Sequence, residues 1–297
     1  MTPRRLMLNI TPALAGQTVD ALLRKSLGLS GTVIRRMKFL DDGITLDGAR
    51  VFTSAVAREG QNLSALVGDT ARRSGIPSLP GPLDIVYEDA DLFILNKAPG
   101  VTSHPGPGHW ADSLGNYVLA HYDAQGDTAT DFHPVHRLDK GTSGLMVVAK
   151  HAHAQEVLKN SLHTPQFRRI YLAVCEGCPE PASGIIDAPL GPLDGSLIAR
   201  TVRPDGQEAR THYEVLKSGR SRSLLRLELD TGRTHQIRVH MAHLGHPLTG
   251  DFLYGQEDKT LISRPALHSA QLILRHPITG LLHNFTAPLP DDMAALL

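Results

Sequence analysis

A stretch crowded with proline, glycine and serine at residues 69–82 divides this chain into two unequal parts. Residues of these types favour turns and interrupt helices and strands. The regions on either side show regular apolar spacing, which is typical of packed secondary structure. We therefore predict a linker at 69–82 between a small module at residues 1–68 and a larger domain at residues 83–297.

The small module has the pattern of two short helices and a hairpin. Apolar residues recur at helical spacing in a first segment that ends before Gly28 and in a second segment that opens at Ser30. The apolar run that begins at Ile44 is followed by Asp47-Gly48, a pair typical of hairpin turns. This pattern predicts a small α/β module with a hairpin over residues 44–51.

Short strands dominate the larger domain, and helical patterns are fewer. Because the strands are not separated by regularly spaced helices, the pattern predicts an α+β domain with a mixed, largely antiparallel sheet. Strands are predicted at residues 85–87, 92–96, 145–149, 167–175 and 224–230, and helices at about 111–122, 152–162 and 235–244.

The charge of the chain is balanced overall but uneven along its length. Thirty basic and thirty acidic side chains cancel. Residues 1–68 hold nine Lys or Arg against five Asp or Glu, a net charge of +4, and residues 200–238 have the same excess. Two basic patches on an otherwise acidic body would steer a polyanion into one groove. Two ordinary solvated faces are the alternative interpretation.

Cysteine content and hydropathy exclude a disulfide-rich protein and a membrane-spanning helical protein. The chain has two cysteines, Cys175 and Cys178, which are too few for a disulfide framework, and we interpret both as structural. Its longest apolar runs fall far short of the roughly 20 residues that span a bilayer. We expect a cytoplasmic protein without a membrane partner.

The polar string from His136 to Gly144 passes directly into the apolar strand Leu145 to Ala149. This loop carries Arg137 and Asp139 two positions apart, and the buried strand that follows it anchors it. Such an arrangement holds a carboxylate firmly without burying it alone. Asp139 is therefore a candidate catalytic residue, and an ordinary charged turn is the alternative.

The polar string resembles the signature of the RluA family of RNA pseudouridine synthases. The matching residues are His136-Arg137-Leu138-Asp139 and, after two further residues, Thr142-Ser143-Gly144. The other family motifs have similar segments here, in the same order: Asp91 to Gly100 with His104-Pro105, Arg169 to Ala173, Thr231 to His240 with Gly245-His246-Pro247, and Leu267-His268-Ser269 with His276-Pro277 and Ala287 to Pro290. The resemblance implies the pseudouridine synthase fold and the isomerisation of uridine in structured RNA. It also implies that no cofactor, metal or protein partner is required.

The resemblance assigns roles to residues of these motifs. Asp139 would attack the sugar or the base, and a nearby guanidinium, that of Arg238, would keep it ionised. We expect Arg238 early in a helix capped by Thr234. Tyr171, predicted on the same strand face as Arg169, would stack on the target base.

A uridine within a stem must leave the helix before it can react, at a cost of about a few kcal/mol. A long planar side chain close to the catalytic acid could fill the space that the uridine leaves in the RNA helix. We therefore expect Arg137 to occupy it, and a contact of Arg137 with a phosphate is the alternative.

Residues 1–68 resemble the S-four-like RNA-binding domain that is often fused to this catalytic domain. That domain usually begins its basic helix with Ser-Arg, whereas this chain has Ser30-Gly31-Thr32 and its basic residues come later. Arg35, Arg36 and Lys38 are therefore the candidate RNA contacts. Module and family favour large-subunit ribosomal RNA over transfer RNA as the substrate.

Two functions of other classes are alternatives to RNA pseudouridine synthesis. The first is an RNA-binding or ribosome-assembly factor that kept the fold without turnover, against which the presence of Asp139, Tyr171 and Arg238 argues. The second is a metal-dependent hydrolase that uses the histidines at positions 240, 243 and 246. No His-Glu-x-x-His string accompanies those histidines.

Overall fold

A computed structural model describes residues 3–297 as a small N-terminal module packed on a large α+β domain. The module has a four-stranded sheet in the order β1-β4-β2-β3, and every pair in it is antiparallel. Its elements are β1 (Arg5–Asn9), α1 (Val19–Lys25), α2 (Gly31–Met37), β2 (Ile44–Leu46), β3 (Ala49–Arg50) and β4 (Asn62–Leu66). The two predicted helices and the predicted hairpin are confirmed.

Local sequence signals set the ends of these elements. The hydroxyl of Thr18 accepts a hydrogen bond from Ala21 N at 3.3 Å and so caps α1. Ser30 caps α2 in the same way. The hairpin turns at Asp47 and Gly48, with φ of 49° and 81°. Two successive positive φ values belong to the tight turn whose twist matches that of the paired strands.

The large domain is built on a ten-stranded mixed sheet. Its main strand order is β10-β13-β14-β9-β15-β8-β6-β5, with β16 paired to β15 and β7 paired to β8. Only β15 and β8 are parallel among these described pairs, so the predicted fold class is confirmed. β11 and β12 form a separate hairpin.

The strands of this domain are β5 (Ile85–Glu88), β6 (Leu92–Lys97), β7 (His133–Pro134), β8 (Ser143–Ala149), β9 (Phe167–Glu176), β10 (Ser183–Asp187), β11 (Leu190–Pro192), β12 (Arg200–Val202), β13 (Arg210–Ser218), β14 (Arg222–Leu229), β15 (Leu267–Arg275) and β16 (Leu282–Thr286). Its helices are α3 (Leu114–Ala124), α4 (Ala152–Ser161), α5 (Gln236–His243) and α6 (Asp291–Ala294). Within residues 3–297, no helix combines the length and apolar character needed to cross a membrane.

Strand β8 lies at the centre of the core, and every one of its residues is buried. Met146 and Val148 pack into a cluster with residues of α3 and α5. Leu145, Val147 and Ala149 face the opposite side and pack with residues of α4. Burial on both faces explains the continuous apolar run of this strand. It also gives the polar loop before β8 a rigid support.

Two buried carboxylates join the module to the large domain. Each is shared between an arginine from the N-terminal module and a histidine of the large domain. The contacts are Arg4 Nε to Asp91 Oδ1 (2.8 Å), His151 Nε2 to Asp91 Oδ1 (2.9 Å), Arg36 Nη2 to Asp69 Oδ1 (2.6 Å) and His133 Nε2 to Asp69 Oδ2 (2.6 Å). Burial opposes the charge of Asp69, but its hydrogen bonds with His133 and Arg36 lower its pKa to about 2.

The segment predicted as a linker follows the surface of the large domain and is tied to it. The guanidinium of Arg72 donates to the carbonyl oxygens of Thr130, Asp127 and Leu119 at 2.9, 3.0 and 3.2 Å. Further along, Asn116 Nδ2 donates to the carbonyl of Pro77 at 2.8 Å. These bonds hold the connection in place, and the module with it.

Candidate active site

The loop before β8, the strand β9 and the start of α5 surround a cavity of about 230 Å³. Four residues predicted for the site line this cavity: Arg137, Asp139, Tyr171 and Arg238. The three basic candidates of the N-terminal module belong to α2 and its end, outside this cavity. The structure therefore brings the proposed reaction residues together and leaves the proposed RNA contacts on a separate surface.

The loop that carries Asp139 is fixed by hydrogen bonds from the segment after β6. The hydroxyl of Ser103 donates to the carbonyl of Leu138 at 2.7 Å and accepts from Leu138 N at 3.1 Å. Gly100 N donates to the carbonyl of Lys140 at 2.8 Å. The backbone on both sides of Asp139 is thus held, and the carboxylate enters the cavity with its side chain 19% exposed.

Lys97 supports the same loop from inside the protein. It is 2% exposed, and its ammonium donates to the carbonyls of Ala98 and Val101 at 2.9 Å each and to that of Lys140 at 3.4 Å. Burial lowers its pKa to about 7, against the opposing charge of Asp139. The sequence placed Lys97 in a family motif without giving it a role.

Gly144, the last residue of the polar string, lies where no side chain fits. Its φ is 107°, and a Cβ there would lie 2.3 Å from the carbonyl oxygen of Ser269. The cause is the parallel pairing of β8 with β15, which sets Gly144 opposite Ser269. Glycine is therefore required for this close approach of the two strands.

Arg238 reaches Asp139 from α5. Its Nη1 lies 3.8 Å from Asp139 Oδ2, while its Nε and Nη2 each donate to Asp251 at 2.7 Å. The guanidinium also lies over the rings of Tyr254 and Phe252, at 5.1 and 5.7 Å from their centroids. Burial opposes its charge, but the hydrogen bonds and charge of Asp251, together with the charge of Asp139, raise its pKa. Arg238 therefore remains a cation beside Asp139.

The predicted cap of α5 is wrong. His235, rather than Thr234, occupies the N-cap position, and its side chain makes no capping hydrogen bond. The side chain of Gln236 closes the preceding turn instead, because its Oε1 accepts from Thr231 Oγ1 at 2.8 Å and from Arg233 N at 2.9 Å. A threonine before a helix is a local signal, and this tertiary arrangement overrides it.

Tyr171 and Arg169 share one face of β9 and both line the cavity, as the strand periodicity predicts. Tyr171 is 5% exposed, and burial raises the pKa of its hydroxyl. Arg169 is 4% exposed and donates from Nη2 to the carbonyl of Thr231 at 3.3 Å. Among the described residues, no acidic side chain forms an ion pair with Arg169. No pattern in the sequence assigns Arg169 a role.

The remaining basic candidates differ in their surroundings. Arg137 is exposed where the loop borders the cavity. Arg35 and Lys38 are exposed on the module, and Lys38 Nζ lies 5.5 Å from the ring centroid of Phe39, which is 75% exposed. Arg36 is committed to the ion pair with Asp69, so it connects the module to the large domain.

The histidines and cysteines singled out in the sequence have structural surroundings. Both ring nitrogens of His240 are engaged, Nδ1 with Thr211 Oγ1 at 2.8 Å and Nε2 with the carbonyl of Ala188 at 2.9 Å. Cys175 is buried in the core, which raises its pKa to about 12, whereas Cys178 is exposed. Among the described residues, none of these histidines or cysteines belongs to a group of side chains whose ligand atoms lie close enough together to hold a metal ion.

Comparisons with known proteins agree with the motifs and the fold. Residues 91–243 match the family model of RNA pseudouridylate synthase. The chain is 41% identical over 271 residues to the RNA pseudouridine synthase YjbO of Bacillus subtilis (strain 168), covering 91% of this chain and 95% of that one. It is 43% identical over 229 residues to ribosomal large subunit pseudouridine synthase D of Escherichia coli (strain K12), covering 73% and 70%.

A solved structure shows the same likeness in three dimensions. The protein described as human RNA pseudouridylate synthase domain containing 4 superposes with a TM-score of 0.59 at 26% identity, over 71% of this chain and 90% of that chain. Sequence, family model and fold agree on one assignment: the chain belongs to the RluA family of RNA pseudouridine synthases, which are isomerases.

Proposed function

We propose that Asp139 carries the isomerisation of specific uridines in large-subunit ribosomal RNA. The observation that supports this most directly is the 3.8 Å approach of Arg238 Nη1 to Asp139 Oδ2 in a cavity that Tyr171 also lines. Arg238 thereby places a positive charge beside the carboxyl group of Asp139. The rigid loop and the buried strand behind it supply the preorganisation that such a site needs.

The reaction breaks the bond between N1 of uracil and C1′ of the ribose and joins C5 of the base to C1′ instead. C5 loses a proton and N1 gains one, so the overall change involves no oxidation or reduction. One ionised carboxylate and one proton carrier are sufficient for this chemistry. We assign the role of the carboxylate to Asp139. We assign two roles to Tyr171: it stacks on the target base and assists proton movement. The raised pKa of Tyr171 keeps its hydroxyl protonated.

Arg137 is our candidate for the position that the target uridine leaves in the RNA helix. Its side chain is exposed at the edge of the cavity, two residues from Asp139. A planar guanidinium stacks on bases and also binds phosphates. We therefore expect Arg137 to stabilise the flipped state of the RNA.

The choice of ribosomal RNA follows from the relatives. The Escherichia coli protein and one from Nitrosomonas europaea, 39% identical over 264 residues, are both named ribosomal large subunit pseudouridine synthase D. Transfer RNA is the alternative substrate. The cytoplasmic location expected from the sequence stays a prediction, consistent with this substrate.

Mapping pseudouridine in cellular RNA with and without the gene tests this assignment. We expect one or more pseudouridines of large-subunit ribosomal RNA to disappear when the gene is removed. They should return with the wild-type gene and stay absent with the Asp139→Asn gene. Loss confined to transfer RNA would contradict the substrate, and unchanged modification of both RNAs would contradict the function.

The N-terminal module is our candidate for docking structured RNA, through Arg35 and Lys38. Both side chains are exposed, and Lys38 lies beside the exposed ring of Phe39, on which a base can stack. Arg36 is left out of this surface because it pairs with Asp69. The module carries a net charge of +4, which attracts a polyanion.

Replacing Arg35 and Lys38 together by alanine is expected to weaken RNA binding. Since each removed cation releases about one fewer counterion, the slope of log affinity against log salt should fall by about 2. Filter binding across a salt series measures this slope. Lys259→Ala, at an exposed lysine of the large domain, is the control for loss of charge alone. An unchanged slope in the double variant would remove both residues from the interface.

A further inference from the structure

His235 occupies a strained position beside the carboxylate proposed as catalytic. Its backbone has a φ of 58°, in the left-handed region. Residues other than glycine rarely adopt this conformation, although asparagine, aspartate and histidine do so more often than the rest. Strain of this kind concentrates at functional sites, where the surrounding structure holds it. Here it turns the imidazole into the cavity, where the side chain is 14% exposed.

Tyr254 provides a hydrogen-bond partner for Nδ1 of His235, the ring nitrogen that is not directed at Asp139. The hydroxyl oxygen of Tyr254 accepts a hydrogen bond from Arg200 N at 2.8 Å and lies 2.8 Å from His235 Nδ1. With one lone pair of this oxygen occupied by Arg200 N, donation of the hydroxyl proton to Nδ1 satisfies both Tyr254 and His235. Nδ1 then acts as an acceptor, and the neutral ring carries its proton on Nε2.

That Nε2 faces Asp139. It lies 3.9 Å from Asp139 Oδ2, the same oxygen that Arg238 Nη1 approaches at 3.8 Å. Burial lowers the pKa of His235, against the opposing charge of Asp139, so the ring is neutral near pH 7. One cation and one neutral donor therefore approach Oδ2, and neither of these contacts involves Oδ1.

We propose that His235 is a positioning residue for Asp139, which it orients through Oδ2 so that Oδ1 meets the substrate. The distance of 3.9 Å is too long for a direct hydrogen bond. Catalytic hydrogen bonds are often long without substrate and shorten in the complex, and we expect this one to do so when RNA fills the cavity. The inference rests on the proposed role of Asp139.

The first test measures the tautomer in the protein without RNA. Two-dimensional proton–nitrogen spectra of the ¹⁵N-histidine-labelled protein report which ring nitrogen is protonated, and the signal that disappears in His235→Asn belongs to His235. We expect a protonated Nε2 and an unprotonated Nδ1, with a mixture of tautomers in Tyr254→Phe. A proton on Nδ1 in the wild-type protein would overturn the proposal.

The second test separates positioning from folding by comparing two substitutions at one site. Asparagine tolerates the left-handed backbone but is too short to place a donor at Nε2, whereas glutamine can place its amide there. We expect His235→Asn to lower kcat by about 10- to 100-fold with little change in KM, the scale on which loss of an orienting partner acts. His235→Gln should recover part of the loss.

The exposed His243 on the same helix provides the control, and His243→Asn should match the wild type. Equal kcat values for His235→Asn and the wild type would overturn the proposal, and so would equal losses in the asparagine and glutamine variants. If the wild-type protein does not isomerise uridine, the proposed function fails. The tautomer measurement still decides the placement of the proton on His235 in that case.

Discussion

Replacing Asp139 by asparagine is expected to lower the rate of uridine isomerisation by about three orders of magnitude or more, with RNA affinity nearly unchanged. The substitution keeps the size of the side chain and removes its negative charge. Arg238 Nη1, at 3.8 Å from Oδ2, then faces an amide that cannot act as nucleophile or base. The loop itself should persist, because Ser103 holds it through backbone atoms of Leu138.

Release of tritium from RNA labelled at C5 of uridine measures the rate, and a gel-shift titration measures affinity. Asp20→Asn is the matched control, since Asp20 is an exposed carboxylate of α1 that pairs with Arg24. Appreciable tritium release by Asp139→Asn would remove Asp139 from the chemistry. Loss of RNA binding with it would indicate that Asp139 acts mainly in docking.

The second large effect is a loss of stability, which we expect when Asp251 is replaced. Its side chain is fully buried and accepts two hydrogen bonds of 2.7 Å from Arg238, whose side chain is 4% exposed. Removing one charge of a buried pair costs about 3–5 kcal/mol, and Arg238 would keep only the more distant Asp139, at 3.8 Å, as a counter-charge. We therefore expect Asp251→Asn to lower the free energy of unfolding by roughly this amount. The variant should also lose activity, because Arg238 is no longer held towards Asp139.

Urea denaturation followed by circular dichroism measures the change, with an unchanged slope showing that the transition stays two-state. Asp20→Asn, which breaks an exposed pair, should cost less than about 1 kcal/mol. The double variant Arg238→Met/Asp251→Leu removes both charges, so it should regain part of the stability without regaining activity. The recovery is partial because Asp251 also accepts hydrogen bonds from Leu253 N and Tyr254 N, which leucine cannot accept. Equal stability of Asp251→Asn and the wild type would show that the pair contributes little to folding.

The sequence predicted those parts of the molecule whose signals are local. Ser30 caps α2 as expected, and Asp47-Gly48 forms the predicted turn. The fully apolar run of β8 identified a central strand, and the polar residues before it identified the loop of Asp139. The family motifs then led to Tyr171 and Arg238. These patterns depend on neighbours within a few residues, which periodicity and capping rules describe.

The partners of these residues depend on contacts that have no local signature. Ser103 reaches Leu138 across 35 positions of the chain, and Asp251 comes from the segment after α5 to bind Arg238. The left-handed conformation of His235 arises where the turn closed by Gln236 meets the helix, so Thr234 loses the cap expected for it. The sequence therefore predicted side chains that line the cavity, whereas their roles stay predictions, and it missed the residues that hold these side chains in place.

The two carboxylates shared by the module and the large domain have a consequence for how RNA is chosen. Asp69 and Asp91 each bind both units, and the segment at Arg72 is tied down, so α2 and Asp139 keep a constant separation. Under the docking proposed for Arg35 and Lys38, an RNA bound at α2 would present to Asp139 only a nucleotide that its folded shape places at that distance. The three-dimensional shape of the RNA would then contribute to target choice, in addition to the bases next to the target.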